Sequence, residues 1–348
     1  MGEFSLNIAP NGFCGESAFY TMRWTKIICE LLLLSLVAVS ASFANTRAPI
    51  FVDTKFTQGF MLSYPDSSRG RSVEAVLNFG LRDRKPCWRL CQWGTKYTLA
   101  AVRCIRSDDG CFIYENKGKK VVVGKTGSET GDLVLEVRGG AEYGVVARKY
   151  GESWPHLLIE QDAVNVHRLD ELDSIWFEIG VRLLHCKKRM TDVEYDPGLH
   201  AAQFQMFFIV KNINPDSDER GSFYWFGVPF FDNRHKIPPA FMAKDIGKAD
   251  ATGKFIYTVA GETLGVMDLR AGKWVNIQVD LLGYVKSGVQ EAVKRGYLKS
   301  LDLHDYAVVN MNLGWEIPGT FGAAAQIRGL NIFAVTRDDL EDAAATGG

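Results

Sequence analysis

A strong net charge is what this chain most plainly lacks. Its 348 residues carry 40 Lys and Arg against 41 Asp and Glu, a formal charge of -1. Bulk attraction to a polyanion is therefore disfavoured. With no basic stripe, nucleic-acid binding is disfavoured too. Catalytic signatures are also missing. No glycine-rich loop opens a helix, and neither a G-x-S-x-G elbow nor an H-E-x-x-H pattern occurs. There is no internal repeat. Helical crossovers are missing through most of the chain, which argues against a parallel α/β architecture.

Cysteine is sparse and unevenly placed. Of seven, Cys14 and Cys29 fall before residue 45, leaving Cys87, Cys91, Cys104, Cys111 and Cys186. An odd number implies at least one free thiol. Cys104 and Cys111 bracket I-R-S-D-D-G, a hairpin-like turn, and are the expected disulfide, which export would permit. Zinc at Cys87-x3-Cys91 would need further ligands at metal spacing, and none follow.

Only one stretch reads as a targeting segment. Met22 to Ala44 has a positive start at Arg23 and Lys26, then an apolar core from Ile27 to Val39 broken by Glu30 and Ser35. Ser42, Phe43 and Ala44 resemble a cleavage site, so the expectation is a secretory signal peptide cut near Ala44 and a secreted, extracellular or periplasmic, product. The apolar core is short against the roughly 20 residues of a membrane helix; a single anchoring helix is the alternative. Residues 1–21 read as an upstream leader outside the fold. Residues 45–337 then form a single large β domain, with a possible sub-boundary near 150, and 338–348 form a flexible tail.

What is present is strand. Leu199 to His235 holds two aromatic-rich apolar runs around a polar break from Asn212 to Gly221. Branched and aromatic runs bounded by Asn, Pro, Asp and Gly predict two paired antiparallel strands. Their nearly continuous apolar character marks strands buried on both faces. Ahead of them, short strands are expected at Ser72–Gly80, Pro86–Arg103, Cys111–Glu115, Lys119–Gly124, Asp132–Arg138 and Tyr143–Lys149. Gly139-Gly140 signals a hairpin between the last two. Trp154–Asp162 and Ser174–Leu184 follow. Lys236–Lys254 is a long loop of the kind that overhangs a binding face. Phe255–Val259, Trp274–Leu281, Tyr306–Glu316 and Ala323–Thr336 are further strands. Tyr284 to Tyr297 is the one helix, with Val285, Val289, Ala292 and Val293 as its stripe and Gly296 at its end. The fold class is all-β, an antiparallel β-sandwich of jelly-roll type with one late helix near 284–297; a closed barrel is the runner-up.

Three constellations could carry chemistry. Glu178, Arg182, Gln203, Gln205 and Trp225 could share one exposed sheet face, with Glu316 joining if its register agrees. Rings that pack on a pyranose and amides or charges that bond its hydroxyls are the types a sugar needs. The plainer reading is a solvated face. A second candidate is Glu178 with Glu316 as an acid and base pair, separated by about 5–5.5 Å for retention or about 6.5–9.5 Å for inversion. The third is His200, Asp232, Arg234 and His235, near Tyr195 and Asp196 at the outer ends of the two central strands. It suits a lyase, with Arg neutralising a uronate, or a network that anchors loops. No cofactor or metal is expected, beyond a structural calcium near Asp245 and Asp250.

The runs W-F-E-I-G-V-R-L, F-Q-M-F-F-I-V and I-R-G-L-N-I-F-A-V resemble bacterial secreted jelly-roll proteins of the carbohydrate-active kind, concanavalin-like or galactose-binding-like. The likeness spans Trp154 to Val335 and implies a polysaccharide or oligosaccharide partner. R-T-E-L-R and Q-I-H, found in alginate-lyase jelly rolls, do not occur here. Three functions stay open: a glycan binder, a glycoside hydrolase or polysaccharide lyase on the same face, and an envelope protein without ligand.

Overall fold

The computed structural model describes residues 47–124, 131–144, 146–246 and 251–338. The expected leader and signal peptide, and most of the tail, lie outside the described residues. Ala48–Asp338 forms one compact unit. The strands are β1 (Ala48–Pro49), β2 (Phe60–Ser63), β3 (Val73–Leu77), β4 (Trp88–Cys91), β5 (Ile105–Arg106) and β6 (Phe112–Glu115). Then come β7 (Lys119–Val123), β8 (Leu133–Arg138), β9 (His156–Asp162), β10 (Leu172–Lys188), β11 (Gln203–Asn212) and β12 (Phe223–Asp232). The last five are β13 (Phe241–Lys244), β14 (Phe255–Thr258), β15 (Val275–Asp280), β16 (Tyr306–Glu316) and β17 (Phe321–Thr336).

Two sheets form the sandwich, of jelly-roll form. One runs β15-β10-β17-β8-β7-β6-β5, with β1 beside β17; the other runs β13-β14-β12-β11-β16-β9-β4-β2-β3. Two pairings depart from antiparallel order, β2 with β4 and β12 with β14. The central pair forms as its composition predicts, with Lys211 opposite Phe223 and Gln203 opposite Asp232. Pro229 is tolerated inside β12 because it sits at a register shift, beyond the Trp225–Gly227 stretch that β14 pairs, so no ladder bond is lost there.

Aromatic side chains fill the space between the sheets. Trp315 is fully buried, packs on Phe204 and Phe231, and donates its Nε1–H to Leu135 O of the opposite sheet at 2.9 Å. Phe177 of one sheet stacks on Phe230 of the other. The late helix, α2 (Leu282–Lys294), buries Val285, Val289 and Ala292. Gly288 lets it close on Tyr224, whose hydroxyl donates to Val285 O. Gly296, at φ 78°, ends it: its N–H bonds Val293 O while Tyr297 N–H bonds Ala292 O, the Schellman arrangement.

Three expectations are corrected. Gly139-Gly140 does not turn a hairpin; it opens a short helix, α1 (Gly139–Tyr143). A Cβ on Gly139 would lie 2.4 Å from Phe321 O, so the glycine serves a close backbone approach to β17. Of Pro86–Arg103 only Trp88–Cys91 is strand. Cys104 and Cys111 are free thiols, as are Cys87, Cys91 and Cys186. The hairpin pairs Ile105 with Ile113 and bonds Ser107 to Cys111, so Cys104 and Cys111 are staggered by three residues. That is about 10 Å of strand, beyond disulfide reach.

Candidate functional site

The nine-stranded sheet turns its solvent face into a hollow of about 730 Å³. Strand alternation sets side chains over it in rows. Asp232 lies opposite Gln203, Gln203 opposite Glu316, and Glu316 opposite His156. These four make a polar row across β12, β11, β16 and β9. The next row is Pro229, Gln205, Gly314 and Leu158. Beyond it stand Phe207, Asn312, Glu160 and Arg89. The middle row stays low partly because position 314 demands glycine. Its φ is 153°, and a Cβ would sit 2.2 Å from Leu157 O.

Indole rings form the walls. Trp154 stacks on His156 and Trp93 meets it edge-on. Half-exposed Trp225 packs edge-on against Phe207 and donates to Thr252 Oγ1 at 3.1 Å. Pro238 and Pro239 also line the hollow, as does Phe241, which opens β13 where the sequence predicts a continuous loop over Lys236–Lys254.

Each carboxylate is held differently. Glu316 Oε2 accepts from Trp154 Nε1 at 3.2 Å and lies 3.4 Å from His156 Nε2, while Gln205 Nε2 reaches Oε1 at 3.4 Å. Burial pushes the Glu160 carboxyl up, against the pull of Arg89 and Arg71, which approach it at 3.3 and 3.4 Å. Burial also acts to raise Asp232, but its hydrogen bonds win and hold it below the usual range. Arg234 grips it through both Nε, at 2.9 Å, and Nη2, at 2.6 Å, and Gln203 adds a bond at 2.9 Å.

Trp225, Gln203, Gln205, Asp232, Glu316, Arg234 and His235 all line this hollow. Glu178 and Arg182 do not, which corrects the expected shared face. They sit on β10, whose neighbours are β15 and β17 of the other sheet, so Glu178 cannot pair with Glu316. His200 is corrected too. It is only 2% exposed, its Nδ1 accepts from Asp196 N, and its Nε2 lies 2.8 Å from Arg148 O. Both ring nitrogens are thus spent on anchoring loops. Among the described residues no three His, Cys, Asp or Glu side chains gather as metal ligands. Asp245 accepts from Thr252, and Asp250 lies outside the described residues. No described helix is long and apolar enough to cross a membrane.

Sequence reasoning missed Trp154, His156, Glu160 and Asn312. The signal was there in W-P-H-L-L-I-E-Q-D, where alternation puts Trp154, His156, Leu158 and Glu160 on one side. Its second half reads as plain core, because Leu157 and Ile159 are buried and so is Leu158.

No protein-family model and no curated protein matches the chain. Among solved structures it is similar to endoglucanase Cel12A from Rhodothermus marinus, at 12% identity over 67% of this chain and 98% of that one, with a TM-score of 0.37. A native family 12 xyloglucanase from Bacillus licheniformis gives 6% identity, 67% and 97% coverage and a TM-score of 0.38. The family 11 xylanase from Neocallimastix patriciarum gives 9%, 67%, 94% and 0.35.

Proposed function

We propose that the hollow on the nine-stranded sheet binds a polysaccharide chain. The row Asp232, Gln203, Glu316 and His156, set between indole walls, carries this reading. Amides and carboxylates at strand spacing offer hydroxyl partners about 4.8 Å apart, and Trp154 and Trp225 offer apolar faces for the sugar ring. The volume is that of an ordinary ligand site. Affinity electrophoresis against a panel of soluble polysaccharides tests it. Retardation by at least one, lost in Gln205→Ala, is the expected result; no retardation by any would favour an envelope protein without ligand.

One observation favours an enzyme on the same face. Asp232 and Glu316 stand two strands apart in one row, about 9.6 Å between backbones. A carboxyl separation in the wider, inverting window of about 6.5–9.5 Å needs the two side chains to lean toward each other across Gln203. Glu160 is four residues of strand from the Glu316 row, about 13 Å, too far to complete either pair. In this reading Glu316 and Asp232 act on either side of the bond. Reducing ends released by the wild type, and absent with Glu316→Gln, would establish it. Unsaturated products would point to a lyase instead.

A further inference from the structure

The opposite side of the sandwich carries a cluster that packing alone does not explain. Trp274 precedes β15, Arg182 lies on β10 and Arg328 on β17. The two guanidinium groups lie 4.8 and 4.2 Å from the centre of the Trp274 ring. Arg71, Arg89, Arg138, Arg234, Arg270 and Arg295 each stand beside an Asp or Glu. Arg182 and Arg328 have no such partner among the described residues; Arg182 spends two donors on Gln326 Oε1, at 2.8 and 2.6 Å.

A strand irregularity builds the cluster. Glu178 pairs with Asn331, but Gly180 pairs with Arg328, so β17 carries one extra residue there. Gly329 sits in that bulge at φ 59°. Such bulges re-aim neighbouring side chains. Gly180, opposite, leaves room: a Cβ would meet Arg328 Cγ at 2.9 Å and Asn276 Oδ1 at 3.0 Å. The result is a hollow of about 260 Å³ lined by Arg328, Asn276, Gln278 and Glu178. Glu178, its one acid, is occupied at Oε1 by the Trp176 indole N–H at 2.8 Å.

The geometry points to a second site, on the eight-stranded sheet, that takes an oxyanion: the carboxylate or sulfate group of an acidic polysaccharide. A guanidinium stacked on an indole is fixed in orientation and presents its planar fork outward. That fork matches carboxylate and sulfate oxygens in pairs. The hollow is smaller than the roughly 300 Å³ of a typical small-molecule pocket, so it accepts a single group rather than a whole ligand. Asn276 and Gln278 are exposed beside it and can bond flanking hydroxyls. This site does not depend on what the groove across the sandwich binds.

Affinity electrophoresis of the wild type, Arg328→Gln and Arg328→Lys in gels containing polygalacturonate tests it, with uncharged xylan gels alongside. Circular dichroism confirms that the variants fold, and Arg182→Gln replaces Arg328→Gln if that one does not. Polygalacturonate should retard the wild type, and the Gln variant should lose about tenfold in affinity. The Lys variant should fall between, and behaviour in xylan should be the same for all three. A parallel arm measures melting temperature in sodium sulfate against sodium chloride at equal ionic strength. Sulfate stabilising the wild type but not Arg328→Gln, with no polygalacturonate effect, would support the oxyanion chemistry and assign it to a free small anion. Equal retardation and equal sulfate response in wild type and Gln variant would overturn the site.

Discussion

Tryptophan, arginine, glutamate and glutamine face solvent on both sides of this sandwich, yet the two sides are built differently. On the nine-stranded side, Glu316, Asp232 and Glu160 flank a low floor made by Gly314 and Pro229, and their partners come from neighbouring strands as well as from the rim: Gln205 and Trp154, Gln203 and Arg234, Arg89 and Arg71. On the eight-stranded side, Glu178 is taken by Trp176, and Arg182 by Gln326, which in turn bonds Asp132. Neighbours there satisfy one another along the surface, except at the bulge. Residue type therefore does not separate a site from a solvated face; depth of floor and spacing of partners do.

Trp315 is the place to break both sides at once. Its ring packs within one sheet and its N–H bonds the other, so Trp315→Ala removes both a filler and the bond to Leu135 O. A loss of about 3–5 kcal/mol is expected, measured by urea denaturation, with both faces losing their binding properties together. If one face kept its ligand in a variant that destabilised, the sheets would be less coupled than this packing implies.

Gly314→Ala separates the faces. Positive φ and a backbone oxygen 2.2 Å from the new Cβ should cost about 1–3 kcal/mol. Because β16 and β9 must part to admit the methyl, the groove should lose polysaccharide retention while the Arg328 hollow keeps its anion response. Retention by both faces in the folded variant would show that the floor does not need to be bare.

How much of this was legible in the chain follows from the same geometry. Most strand positions and the central pair were readable because they depend on neighbours in sequence: the continuous apolar run of β12, the turn at Asn212–Gly221, the glycine after the helix. The expected strand at Tyr143–Lys149 was not, since its described residues close α1 and then run as turn and loop. The site was readable in part. Gln203, Gln205 and Trp225 lie on two strands joined by one turn, so alternation groups them; Asp232 is seven residues from Trp225 and reaches the same face only through the register shift between Pro229 and Phe231. Glu178 and Arg182 alternate just as well, but which sheet β10 joins is decided by pairings with β15 and β17, far off in the chain. His156 and Glu160 enter through β16, likewise distant. The Cys104/Cys111 expectation failed on a finer scale, by a three-residue stagger that spacing cannot reveal.

Glu316→Gln sharpens the comparison from the ligand's side. The carboxylate accepts from Trp154 and Gln205, and an amide keeps the shape but not the charge. Loss of a hydrogen bond to a charged group is worth about 1.5–3 kcal/mol, so glycan affinity should fall at least about tenfold, read by calorimetric titration. The matching change on the outer side, Arg328→Gln, should leave that titration untouched.

The smallest expected effect is at Arg71. Its side chain is 57% exposed, bonds Asp162 at 2.7 Å and reaches Glu160 at 3.4 Å. Exposed pairs of this kind contribute about 0–1 kcal/mol, so Arg71→Ala should barely move the denaturation midpoint at neutral pH. Its electrostatic effect should still be visible. Burial raises the Glu160 carboxyl, and Arg71 is one of the two cations that restrain the rise. A raised carboxyl favours the fold while it stays protonated, below its unfolded value, and that contribution is lost as pH climbs through the folded value. Without Arg71 the folded value climbs further, so Glu160 should hold its proton to higher pH than in the wild type. Carbon NMR of labelled glutamate carboxyls would follow this directly. A Glu160 titration unmoved in Arg71→Ala, or moved equally by Arg328→Gln, would mean that Arg71 does not set the charge of the groove.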